Sequence, residues 1–179
     1  GPGAKGPGTW RYGPWEKATI SSDKNIQLEA RKIRYAFFKE VVKKEKLDYI
    51  ITAHHQNDDQ ETFILNIIRG SGLAGLKAIP YKRDNILRPL LNFNKSQLKK
   101  YAFQNKIPYR EDISNFSDKY DRNFIRNNVL PILYKKFIQS ENGIAKSIQF
   151  IKKDNTLLHE LVDEKLKPYL KQNKDSITL

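Results

Sequence analysis

Cysteine is absent from all 179 residues. Disulfides, cysteine-ligated zinc and any chemistry that carries sulfur on a protein thiol are thereby excluded for this chain. The cytoplasm is the expected compartment. Methionine is absent as well, so either a first methionine has been removed by processing or the first residue is not the natural start. The opening Gly1-Pro2-Gly3-Ala4-Lys5-Gly6-Pro7-Gly8 reads as a linker or tag, and residues 1–16 are set aside from the fold. No apolar run approaches the length of a membrane-crossing helix. The first residues lack the apolar core of a signal peptide, so no membrane partner is expected.

Lysine and arginine are what the chain has in excess. They total 33 against 20 acids, leaving a net charge of +13. A surplus of that size favours a polyanionic partner such as nucleic acid. The competing explanation is a composition rich in Lys, Asn and Ile that uses lysine for solubility. The length suits one good core, or one domain with a helical extension.

Ile26, Ala30, Ile33, Phe37 and Val41 recur at helical spacing behind Asn25, which predicts an amphipathic helix ending near Lys46. The apolar, β-branched run Asp48-Tyr49-Ile50-Ile51-Thr52-Ala53 predicts a buried strand of a parallel sheet. A second helix is expected next, with Asn57 as N-cap and Gln60 three residues on. Its apolar face is read as Phe63, Ile64, Ile67 and Ile68, and it stops at Arg69-Gly70-Ser71-Gly72. Residues 86–91 are extended, but Pro89 argues against a central strand. Asn94 and Gln97 cap another helix through about Gln104. Ile107-Pro108-Tyr109 reads as a short extended piece. Residues 112–119 read as a polar loop. A helix is predicted from Asp121 to Val129, interrupted or restarted at Pro131, and another from Ile144 to about Tyr169. Helix, strand, helix in that order indicates an α/β domain with a parallel sheet.

Chemistry is concentrated between residues 53 and 62. Ligands of open α/β sheets sit beyond the carboxyl ends of strands, near helix N-termini, and that place holds His54, His55, Asp58, Asp59 and Glu61. Asp58, Glu61 and Thr62 share one helical face, opposite the apolar one. Two carboxylates on a solvent-facing ridge could hold Mg²⁺ or a substrate ammonium group. The same acids would also suit the positive end of a helix with no ligand at all. A zinc site from His54, His55, Asp58 and Glu61 is a third reading, although the spacing is not that of the helical metalloprotease motif. The glycines of residues 69–76 expose backbone N–H groups that could approach phosphate, or they simply make a connection. Arg122 and Arg126, one helical turn apart, suit phosphate, or form a solvated face.

Five stretches together resemble the tRNA(Ile)-lysidine synthetase family, within the N-type ATP pyrophosphatase (PP-loop) superfamily. They are NIQLEARKIRY (25–35), AHHQNDDQETFILNIIRGSGLAG (53–75), RPLL (88–91), DISN (112–115) and YDRNFIRNNVLP (120–131). The resemblance implies a parallel-sheet PP-loop ATPase domain of the adenine nucleotide alpha hydrolase type. It also implies a reaction. ATP adenylates C2 of the wobble cytidine in an isoleucine tRNA with a CAU anticodon, and the amine of free L-lysine then displaces AMP. The tRNA changes from methionine to isoleucine identity. ATP and Mg²⁺ are the implied cofactors. The matching residues place His55, Asp58, Glu61 and Arg126 at the reacting centre. Asp58 and Glu61 would face lysine, or Mg²⁺ in the case of Asp58. Ala53, His54, Arg69 and Gly70 fall to the nucleotide, and Arg88, Arg122 and Arg126 to phosphates of ATP or tRNA. The resemblance admits a homodimer.

Two departures stand out. Asp59 occupies a position where the family commonly has Gln, Asn or Ser, and Gln60 one where it has a small or apolar residue. The family's S-G-G-x-D-S pyrophosphate loop is not found, and Ser21-Ser22-Asp23 lacks its glycines and preceding strand. The expected organisation is therefore a linker at 1–16, an N-terminally incomplete catalytic domain at 17–135, and the start of a helical tRNA-binding domain at 136–179. By this reading the chain alone would not adenylate tRNA. A non-catalytic RNA-binding module is the alternative. A thiolating relative of the same superfamily is a further one, against which the lack of cysteine argues.

Overall fold

A computed structural model describes residues 26–109, 121–168, 171–173 and 176–178. The cap at Asn25 and the DISN stretch lie outside the described residues. The chain divides into two compact units.

The first unit holds helix α1 (Ile26–Lys44) and strands β1 (Ile50–Ile51) and β3 (Ile86–Leu87). β1 and β3 run parallel, with Ile50 opposite Ile86 and Ile51 opposite Leu87. The Ile50 N–H extends the ladder to the Asn85 carbonyl at 2.8 Å. The expected parallel pairing is present, but the strand is shorter than its apolar run and it is not buried. Ile51 is 71% exposed, because a two-residue strand with one hydrogen-bonded neighbour has little to cover its outer face. On α1, Arg31 lies over the Tyr35 ring at 4.8 Å, a cation–π contact that i, i+4 spacing makes available.

The second unit carries α2 (Gln56–Ile68), α3 (Leu73–Leu76), β2 (Lys82–Arg83), α4 (Lys95–Gln104), α5 (Asp121–Phe124), α6 (Leu130–Lys136) and α7 (Ser140–Leu166). A π-helical stretch, Ile125–Val129, joins α5 to α6. Pro131 follows directly on the π-helical stretch and, lacking an N–H, donates no hydrogen bond back into it. α4 starts as its sequence requires. Asn94 accepts from the Gln97 N–H at 2.8 Å, and the Gln97 carboxamide accepts from the Asn94 N–H at 2.9 Å, a reciprocal capping box. The segment at 107–109 is irregular. A short antiparallel pair, β4 (Lys171–Asn173) with β5 (Ser176–Thr178), follows α7.

α2 is the organising element, and it differs from expectation in two ways. Its N-cap is His55, not Asn57. The His55 N–H donates to Asp58 Oδ2 at 2.9 Å, so the acid three residues on plays the part expected of Gln60. Its buried face is Asp59, Gln60, Glu61 and Phe63, whereas Ile67 and Ile68 are 49% and 69% exposed. A face this polar stays buried only when its groups are satisfied, and α7 satisfies two of them. Gln60 Nε2 donates to the Glu141 carbonyl at 2.7 Å, and the Lys152 ammonium pairs with Asp59 Oδ2 at 2.5 Å. The apolar core beside them includes Phe63, Leu91, Ile125, Leu130, Ala145 and Ile148. Among the described residues no helix is long and apolar enough to cross a membrane.

Candidate functional site

Asp58 and Glu61 project from the first turns of α2 toward the helix that begins at Asp121. They meet Arg122 and Arg126 there. Arg126 grips Glu61 with both edges of its fork, Nε to Oε1 at 2.6 Å and Nη2 to Oε2 at 2.8 Å. Arg122 Nε donates to the same Oε2 at 2.7 Å. Both arginines also reach Asp58 Oδ1, at 3.2 Å from Arg122 and 3.4 Å from Arg126. Glu61 is 1% exposed. The contact with Glu61 raises the Arg126 pKa still further, against the opposing effect of burial. Two acids and two guanidinium groups thus form one neutral, hydrogen-bonded cluster, which is the favourable arrangement for buried charge.

This geometry corrects the picture of an open acidic ridge. Asp58 and Glu61 are not solvent-facing, and the arginines expected to face phosphate independently are bound to them. Asp58 in this state does not fit a Mg²⁺ ion. Its Oδ1 accepts from two cations, its Oδ2 accepts the His55 N–H, and a divalent ion would sit against guanidinium groups. The zinc reading fails as well. Among the described residues no group of three or more His, Asp or Glu side chains is arranged to hold a metal.

His55 joins the cluster at its edge, with Nδ1 3.5 Å from Asp58 Oδ2. That nitrogen is buried and makes no hydrogen bond. Burial lowers the His55 pKa, and the two neighbouring acids only partly oppose it. Burial thus favours the neutral imidazole, the form that can take a proton from a nucleophile. The π-helical stretch begins at Ile125, directly before Arg126. Such widened turns re-aim side chains and recur at functional sites.

The remaining candidates are more dispersed. His54 Nδ1 lies 2.9 Å from the Thr52 hydroxyl, and Ala53 is exposed. Arg69 and Gly70 stand at the other end of α2, about 12 Å from Glu61 and about 17 Å from Asp58 by helical rise. Arg69 makes a 3.5 Å exposed pair with Asp121, and Gly70 adopts φ 68°, the left-handed turn its sequence predicts. Arg88 is only 4% exposed and donates to the Pro80 carbonyl at 2.8 Å. Its Nε is buried and makes no hydrogen bond.

A second polar network lies beside the cluster, and no sequence motif marks it. The Tyr134 hydroxyl donates to Gln60 Oε1, Asn57 Nδ2 donates to Glu141 Oε1 at 3.4 Å, and Asn57 Oδ1 accepts the Lys95 N–H at 2.8 Å. Burial first of all pushes the Tyr134 hydroxyl up to about 12, so it remains a donor. One signal in the sequence could have found this network. Gln60, which the resemblance sets apart together with Asp59, belongs to it, and both residues carry buried contacts to α7.

A family model for the PP-loop domain matches residues 12–133. Curated relatives named tRNA(Ile)-lysidine synthase are similar over most of the chain. The one from Actinobacillus pleuropneumoniae serotype 3 (strain JL03) is 37% identical over 158 residues, 86% of this chain and 37% of the relative. That from Haemophilus ducreyi is 38% identical over 168 residues, 92% of this chain and 39% of the relative. That from Chlorobaculum tepidum is 35% identical over 151 residues, 83% of this chain and 45% of the relative. The chain spans less than half the length of each of these relatives.

Proposed function

The chain belongs to the PP-loop domain family, and from that premise we propose that it forms the reacting-centre part of a tRNA(Ile)-lysidine synthetase, which ligates L-lysine to C2 of the wobble cytidine through an adenylated tRNA. The observation that carries the reading is the cluster of His55, Asp58, Glu61, Arg122 and Arg126, in a chain similar to proteins of that name. A neutral cluster of two cations and two anions can serve an adenylate and an amine in turn. Phosphate oxygens attract the guanidinium groups of Arg122 and Arg126. As the arginines turn toward phosphate, Asp58 and Glu61 lose partners, and the ammonium group of lysine replaces them. The incoming amine then has to lose a proton before it attacks, and neutral His55 is the base within reach of Asp58. ATP enters as the adenylating substrate. The cluster holds no place for Mg²⁺, so no step is assigned to it.

Residues 136–179, which include α7, are assigned to the start of the helical tRNA-binding side, as the resemblance implies. Fluorescence anisotropy with tRNA(Ile) transcripts tests the substrate. A transcript with a CAU anticodon should bind more tightly than one with the wobble cytidine replaced by uridine, and both affinities should fall steeply with salt. Equal binding of the two transcripts would remove the anticodon from the proposal, leaving a general RNA-binding module.

A further inference from the structure

A cavity of about 310 Å³ opens on the face of α2 that carries Gln56 and Asp59, apart from the face that carries Asp58 and Glu61. Its floor is apolar and well packed. Leu91 is 6% exposed, Ala145 9% and Ile148 1%. Its rim carries three carboxamides, those of Gln56, Asn92 and Gln149, which make no side-chain hydrogen bond to another described residue. Tyr81 stands at the edge, 55% exposed.

The charges on the wall narrow the ligand. The ionised pair there is Asp59 with Lys152. Asp59 is fully engaged, since its other oxygen accepts the Ile79 N–H at 2.7 Å. A phosphate would need an unpaired cation, and a free amino acid would need an unpaired charge of each sign. The cavity offers neither. It offers an apolar floor, an aromatic ring, and carboxamides that each donate and accept. Lys152 keeps further ammonium protons for a carbonyl. That set complements a neutral, flat heterocycle with alternating donors and acceptors on its edge.

We propose that this cavity is a binding site for an unstacked nucleobase, held against Tyr81 and read at its edge by Gln56, Asn92 and Gln149. That the base belongs to a bound RNA rests on the tRNA reading above. Recognition of the ring does not. A base splayed out of its stack is the form in which single-stranded RNA is read, and a second contact outside the reacting centre would fix the register of the strand.

The test is a titration of the full chain, following the side-chain amide NMR signals of Gln56, Asn92 and Gln149. Cytidine, uridine, adenosine, guanosine, ribose 5-phosphate and L-lysine are added in separate experiments. At least one nucleoside should shift the three signals together, while ribose 5-phosphate and lysine should leave them in place. Tyr81→Ala should weaken that nucleoside about tenfold, the scale of one missing stacking partner, and Tyr81→Phe should restore it. Shifts with ribose 5-phosphate or lysine as strong as with nucleosides would overturn the proposal, as would four silent nucleosides at millimolar concentration. A short single-stranded oligoribonucleotide containing the preferred base should bind at least about tenfold tighter than the nucleoside, because backbone contacts add to the base contact. Equal affinity would overturn the RNA source. No ATP or ligation is involved, so these outcomes are independent of the catalytic proposal.

Discussion

Glu61 is enclosed and both its oxygens accept from guanidinium groups, so its removal strands two arginines in a partly desolvated place. Glu61→Gln should cost about 3–5 kcal/mol of stability, the range for removing one partner of a buried charge set. Urea unfolding monitored by circular dichroism checks this, and a cost under about 1 kcal/mol would show that the cluster is not held as described. Asp58→Asn should cost less, because its arginine contacts are longer and the side chain is 15% exposed. His55 supplies the pH dependence. Its folded pKa is lowered from 6.5 by burial, so below that value the unfolded state binds the proton more readily. The stability tied to His55 is complete above about pH 6.5 and is lost as pH falls through the folded pKa. The midpoint of denaturation should therefore drop on mild acidification, and His55→Asn should flatten that drop. An unchanged slope in the variant would place the titration elsewhere.

At the scale of elements, the legible parts of the fold were those written in local chemistry. Asn94 with Gln97 marked the start of α4, Gly70 marked the end of α2, and the spacing of Arg122 and Arg126 put them on one face. What escaped was tertiary. Ile67 and Ile68 look like core by periodicity, yet α2 buries Asp59, Gln60 and Glu61 instead, because α7 and the arginines supply partners that no local pattern announces. The acids and the arginines were each legible as candidates, and the resemblance put Arg126 with the acids; what escaped was that both arginines enclose them, so that no open acidic ridge remains. The π-helical stretch left no mark either, since one widened turn barely alters the spacing of apolar residues. The start of α3 offers a sharp contrast. A Cβ on Gly75 would lie 2.7 Å from the Ser71 Cβ, while one on Gly72 meets nothing within 4 Å. Gly75 is also tied to α2, its carbonyl accepting from Asn66 Nδ2 at 2.7 Å. Gly75→Ala should destabilise by about 1–3 kcal/mol through overpacking, with Gly72→Ala within about 0.5 kcal/mol of the parent. Thermal unfolding of the two variants side by side decides it, and equal midpoints would contradict the close approach at Gly75.

For the whole molecule, the charge excess and the reacting cluster describe different parts of the work. The cluster is neutral, so the net +13 lies outside it, where the proposed function gives it the long-range attraction of tRNA. Arg126→Ala should accordingly impair ligation far more than it impairs tRNA affinity. Substitution of surface lysines should do the reverse, and the salt dependence of binding should fall by roughly one unit for each phosphate that no longer meets a cation. The central claim is that His55, Asp58, Glu61, Arg122 and Arg126 act together as a ligation centre. Its most direct measurement places this chain in the corresponding region of the Actinobacillus relative, verifies folding by circular dichroism, and follows ATP-dependent incorporation of labelled lysine into tRNA(Ile) with a CAU anticodon. The folded chimera should incorporate lysine, and Arg126→Ala in it should abolish incorporation while leaving tRNA bound. A folded, tRNA-binding chimera that incorporates no lysine, or an Arg126→Ala form that ligates at the parental rate, would contradict the account.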